Sequence, residues 1–117
     1  MPTIELTEEN FLQTVQKDGI VLVDFWASWC GPCRMFGPIF EASSEVHPDI
    51  VFGKVDTDAQ SALAMQFSIM SIPTLMAFLD GQLVFSQPGA LPAASLEELI
   101  TKIRETETET ETEMVSK

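Results

Sequence analysis

Seven residues, Ile20-Val21-Leu22-Val23-Asp24-Phe25-Trp26, form an almost unbroken apolar run. A run of this length, rich in β-branched side chains and without polar alternation, reads as a central strand covered on both faces. It commits the chain to a layered architecture, because only helices or a second sheet can cover two faces of one strand. Three residues later come Trp29-Cys30-Gly31-Pro32-Cys33, which hold both cysteines of the chain. Gly31 and Pro32 place the pair where a strand hands over to a helix. A thiol at the first turn of a helix meets unpaired backbone N–H groups and the positive end of the helix dipole. Both favour thiolate, the reactive form. A second cysteine one turn later is near enough to close a disulfide with the first.

Three uses of such a pair compete. A structural zinc site needs four ligands, and the chain offers two cysteines and one histidine, His47. A site within one chain is therefore incomplete, although two chains together have the donors. A structural bridge adds little, since closing so short a loop removes little chain entropy. With 117 residues, 45% of them hydrophobic, the chain has a core without a staple. Redox chemistry is the reading that uses both the spacing and the turn residues.

The net charge of -12 argues against nucleic acid and anionic membranes as partners. Part of it lies in Glu105 to Lys117, where five glutamates alternate with threonine before a single lysine. That stretch has no core-forming pattern and reads as a disordered acidic tail. The domain expected before it spans residues 1–104, the tail 105–117. No apolar run reaches the length of a membrane span, and no secretory leader is legible at the start. These features point to a cytoplasmic protein.

Elsewhere the pattern alternates between periods of two and 3.6. Thr3 to Leu6 suggests an edge strand. Thr7 suits an N-cap for a helix presenting Phe11, Leu12 and Val15. A helix is expected from Cys30–Cys33 to Val46, with Pro38 kinking it. A strand follows at Ile50 to Asp56, a helix at Ala59 to Phe67, and a strand at Pro73 to Leu79. Asp80-Gly81 is a hairpin signal, with Gln82 to Ser86 as the partner strand. Ser95 caps a last helix carrying Leu96, Leu99, Ile100 and Ile103. This order predicts a mixed sheet with helices on both faces.

Asp24 is the second informative residue. A carboxyl group on the same strand face as Ile20, Leu22 and Trp26 is costly to ionise once buried. Its pKa should rise, as suits a group that takes and returns a proton during thiol chemistry; the competing reading is a solvated acid near a strand end. Lys54 reads from alternation alone as a surface lysine. His47 reads as a surface histidine and the methionines as gap fillers. Trp29 reads as a half-exposed loop residue forming, with Ile72, Pro73, Gly89 and Ala90, an apolar platform for a partner protein.

Val21-Leu22-Val23-Asp24-Phe25-Trp26-Ala27-Ser28-Trp29-Cys30-Gly31-Pro32-Cys33-Arg34, then Pro38, Lys54-Val55-Asp56, Ser71-Ile72-Pro73-Thr74 and Asp80-Gly81, closely resemble the thioredoxin family. The resemblance runs from about Ile4 to Arg104 and implies the thioredoxin fold. It implies that Cys30 is an exposed attacking thiolate and Cys33 a buried resolving thiol. Asp24 becomes the proton acceptor and donor for Cys33, tuned by nearby Lys54. Pro73 becomes cis and faces the cysteines, while Ile72 offers its backbone to an extended substrate segment. Trp29 and Gly89 line the same docking surface, with Gly31 in the redox loop and Pro32 keeping the pair reducing. Leu79, Gly37 and the Thr/Glu tail depart from the usual pattern.

The expected activity is that of a monomeric protein-disulfide reductase without a bound cofactor or metal. Its substrates are disulfide-containing proteins, and a partner flavoprotein reductase, a thioredoxin reductase using NADPH, resets it. The alternative is a thioredoxin-fold binding subunit that docks partners with little turnover.

Overall fold

The computed structural model describes the backbone of residues 2–116 and the side chains as far as residue 107. Five strands form one sheet: β1 (Thr3–Glu5), β2 (Ile20–Trp26), β3 (Val51–Asp56), β4 (Thr74–Leu79) and β5 (Gln82–Pro88). Four helices connect or close it: α1 (Phe11–Val15), α2 (Gly31–Val46), α3 (Ser61–Gln66) and α4 (Ala93–Ser116). The strand order is β1-β3-β2-β4-β5. β3 runs parallel to β1 and β2, while β4 runs antiparallel to β2 and β5. The sheet is therefore mixed, and the apolar run lies at its centre.

Period-two alternation divides the core into two layers. Ile20 and Leu22 of β2 meet Phe36 and Phe40 of α2 and Leu96 and Ile100 of α4. Val21, Val23 and Phe25 face the other way, onto Leu6, Phe11, Val15 and Leu63. Asp24 belongs to the first face, between Leu22 and Trp26, and so lies under α2. One glycine is fixed by close approach. A Cβ on Gly53 would run into the side chain of Leu6, which is fully buried.

The hairpin forms where Asp80-Gly81 predicts it. Both residues take positive φ, 51° and 84°, as a tight turn between twisted strands demands. Asp80 also accepts a hydrogen bond from the Gly19 N–H at 2.7 Å, tying the turn to the entry of β2.

Several boundaries differ from expectation. The Thr7 hydroxyl caps a turn over residues 8–10, accepting from the Glu9 N–H at 3.3 Å. The helix itself starts only at Phe11, after Asn10. Leu12, 57% exposed, lies off the buried stripe, because so short a helix offers one narrow face. Likewise α3 is only Ser61–Gln66, and α4 starts at Ala93, two residues before the expected Ser95 cap. The largest difference concerns the expected disordered tail at 105–117. The backbone of α4 stays helical through Ser116, while Lys117 lies outside the described residues. Extending a packed helix adds one hydrogen bond per residue without a new nucleation cost, and glutamate is a good helix former.

Candidate active site

Cys30 ends the loop after β2 in extended conformation and is the N-cap of α2. Its sulfur accepts the Cys33 backbone N–H at 3.2 Å. That bond uses one of the amides left free by the helix start, and it would strengthen with negative charge on the sulfur. Pro32, in the first turn, needs no donor there. Cys30 and Cys33 form a disulfide with their Cα atoms 5.2 Å apart. Cys30 Sγ also lies 3.5 Å from the Ile72 carbonyl oxygen.

The contrast between an exposed Cys30 and a buried Cys33 is not a contrast of exposure in this disulfide. Their exposures are 4% and 5%. What differs is the opening each one faces. Cys30 lines a groove of about 420 Å³ with Trp29, Gly31, Pro32, Ile69, Met70 and Ile72. Cys33 lines a second cleft of about 380 Å³ with Trp26, Arg34, Gly37, Glu41 and Lys54. The pair stands in the wall between two depressions.

Asp24, on the face of β2 that α2 covers, is 1% exposed, with neither carboxyl oxygen hydrogen-bonded among the described residues. Burial pushes its pKa from the ordinary 3.8 to about 7, and the Lys54 ammonium pulls the other way. The two residues are register partners on β2 and β3. Lys54 forms no ion pair among the described residues. Its Nζ instead sits 5.1 Å from the Trp26 ring centroid. Lys54 is thus a half-buried strand lysine beside the acid and not a freely solvated one.

Ile72–Pro73 is a cis peptide. The Pro73 carbonyl accepts the Gly89 N–H at 2.7 Å, and Gly89 holds a φ of 102°. Gly89 is thereby joined to the cis proline, but it does not line the Cys30 groove. Trp29 is 66% exposed, and its indole N–H donates to Asp58 at 3.0 Å. Sequence reasoning missed Asp58, as well as Met70 and Ile69 in the groove. Asp58 sits 29 residues from Trp29 and carries no local pattern.

His47 is not a plain surface histidine. Its Nε2 lies 2.6 Å from Glu97, and its Nδ1 is 3.1 Å from an Arg104 nitrogen. Arg104 also grips Asp49 through two bonds. Because arginine only donates, Nδ1 must accept and Nε2–H must donate to Glu97. This clamp pins α4 to the end of α2, remote from the cysteines. No cluster that would hold a metal exists among the described residues.

The Thioredoxin family profile matches residues 2–102. The chain belongs to the thioredoxin family. It is 57% identical over 103 residues to a Streptomyces coelicolor protein that carries the name thioredoxin 2, covering 88% of this chain and 77% of that one. Thioredoxin of Alicyclobacillus acidocaldarius is 44% identical over 102 residues, covering 86% and 97%. The solved structure of Malassezia sympodialis thioredoxin superposes with a TM-score of 0.77 at 37% identity, covering 86% of this chain and 89% of that one. With a cysteine pair at bonding distance in the family's redox position, the chain is a protein-disulfide oxidoreductase working by dithiol–disulfide exchange.

Proposed function

We propose that Cys30 is the attacking sulfur, Cys33 the resolving one, and Asp24 with Lys54 the proton-handling pair behind them. The observation that carries this assignment is the position of each group. The Cys30 sulfur caps α2 and faces the groove beside Trp29, whereas Cys33 faces the cleft that holds Lys54.

In the reduced protein the Cys30 thiolate attacks a substrate disulfide. One sulfur bonds to Cys30 and the other leaves as thiolate. The Cys33 thiol gives its proton to Asp24, and its sulfur attacks Cys30. The internal disulfide closes and the substrate leaves with both sulfurs reduced. A carboxyl group with a pKa of about 7 suits this task, since it holds or releases a proton near neutrality at little cost. The Ile72 backbone, next to the Cys30 sulfur, offers hydrogen bonds to an extended substrate segment, with Trp29, Gly31 and Pro32 in the same groove and Gly89 bonded to the neighbouring Pro73.

The substrates are disulfide-containing proteins. The chain carries no cofactor of its own on this reading, and a partner flavoprotein reductase supplies electrons from NADPH. We read the working form as a cytoplasmic monomer; no helix among the described residues is long and apolar enough to cross a membrane. Residues 1–104 form the redox unit and 105–117 an acidic appendage, a division in keeping with a family match at 2–102.

Turnover of an insulin-type disulfide by wild type and Cys30→Ser tests the assignment. Loss of turnover in the variant supports it. Equal rates would favour a binding subunit whose cysteines are incidental.

A further inference from the structure

We propose that the indole face of Trp26 and the bare Cα of Gly37 form a seat that holds the Lys54 ammonium beside Asp24 without letting the two make contact. Trp26 and Gly37 are then positioning residues for proton transfer behind the disulfide. The proposal deepens the assignment of Asp24 and Lys54 above and rests on it.

Lys54 has every reason to leave. It lines an open cleft, and its four-carbon stem lets the ammonium swing into water. Among the described residues no carboxylate lies within ion-pair distance of it, and Glu41, an acid lining the same cleft, is instead hydrogen-bonded to Thr3 at 2.8 Å. The contact that keeps the ammonium inward is the Trp26 ring, 5.1 Å from Nζ. A cation over an indole face gains attraction from the ring quadrupole.

The other side of the seat is kept clear by a residue that α2 would otherwise disfavour. Glycine inside a helix is a poor choice next to alanine. A Cβ at position 37 would lie 3.9 Å from Lys54 Nζ, in ordinary contact, so a methyl fits there while the further carbons of a leucine add bulk beside the ammonium.

The separation matters for the chemistry. A lysine in contact with Asp24 would hold the carboxylate ionised and unable to return a proton. A lysine lost to solvent would leave burial unopposed and raise the acid's proton affinity further. A seat on Trp26 sets an intermediate field. Lys54 on β3 is the charge that acts on Asp24; the cleft Lys54 lines also holds Cys33, Arg34 and Glu41 of α2, and Glu5 of β1 is the register partner of Lys54. β4 contributes apolar Leu75 at the paired position.

The test follows the Asp24 carboxyl by carbon NMR through a pH titration of the oxidised protein. The variants are Lys54→Met, Trp26→Leu, Trp26→Phe and Gly37→Leu. Lys54→Met should raise the proton affinity of Asp24. Trp26→Leu and Gly37→Leu should reproduce at least half of that rise, about two- to five-fold from the strength of such a contact. Trp26→Phe, which keeps an aromatic face, should return most of the way to wild type. Gly37→Leu leaves Trp26 intact, so it reports on the seat even if Trp26→Leu folds poorly. If Lys54→Met shifts Asp24 while Trp26→Leu and Gly37→Leu do not, the seat is refuted and the Asp24–Lys54 assignment stands. If Lys54→Met itself has no effect, that assignment fails, and the seat with it.

Discussion

Replacing Asp24 with asparagine removes a titrating group and keeps its shape. The folded protein holds the Asp24 proton up to a pH of about 7, against 3.8 for an ordinary aspartate. Between those values the native state binds more protons than the unfolded chain, so stability falls as pH rises. The favourable contribution is complete below 3.8 and is lost as pH rises through 7. Each tenfold change in proton affinity is worth about 1.4 kcal/mol, so ionising the buried carboxyl costs about 4 kcal/mol in full. Asp24 is almost wholly buried and has no hydrogen-bond partner among the described residues, so solvent screening does little to reduce that figure. Roughly 3 kcal/mol of it falls between pH 5 and pH 9. Urea denaturation of oxidised wild type and Asp24→Asn at both values measures it. Groups that titrate alike in both proteins cancel in the double difference. Wild type should lose about 3 kcal/mol more than the variant. Parallel losses, within about 0.5 kcal/mol, would show that Asp24 is hydrated or hydrogen-bonded in solution and would remove it as the proton store.

Cys33→Ser should stop the reaction halfway, so that a covalent Cys30–substrate adduct accumulates and is visible by mass spectrometry under non-reducing conditions. Gly53→Ala should destabilise the fold by about 1–3 kcal/mol in thermal or urea unfolding, since the added methyl must push the buried Leu6 aside. Arg104→Gln should flatten the loss of stability on acidification. The hydrogen bond from Arg104 holds the Asp49 carboxyl below its ordinary range, a contribution present above pH 3.8 and lost as pH falls through the lowered value; denaturation at pH 5 and pH 3 reads the difference.

The sheet was legible because its decisive signals are local. Ile20–Trp26 shows burial on two faces, Asp80-Gly81 shows a turn, and Cys30 to Cys33 shows a helix start. Asp24 was legible as an acid inside an apolar run. The Lys54 neighbourhood was less so, because strand alternation does not say which strand lies alongside, and the register against β2 decides it. The His47–Glu97–Arg104 clamp joins residues 50 and 57 apart, and no local pattern announces it. The helix starts after Asn10 and at Ala93 carry no side-chain cap that a sequence pattern could announce: Asn10 makes no capping hydrogen bond, and α4 begins two residues before Ser95. The helical backbone beyond Arg104 came from extension of a packed helix, which composition alone does not weigh.

Reactivity of the two thiols against pH tests the central claim most directly. With reduced protein and trace iodoacetamide, peptide mapping at each pH gives separate alkylation rates. Cys30 should react far faster than Cys33, with a midpoint well below the ordinary thiol value of about 8.5. Two equally slow thiols, each with an unshifted midpoint, would contradict the account.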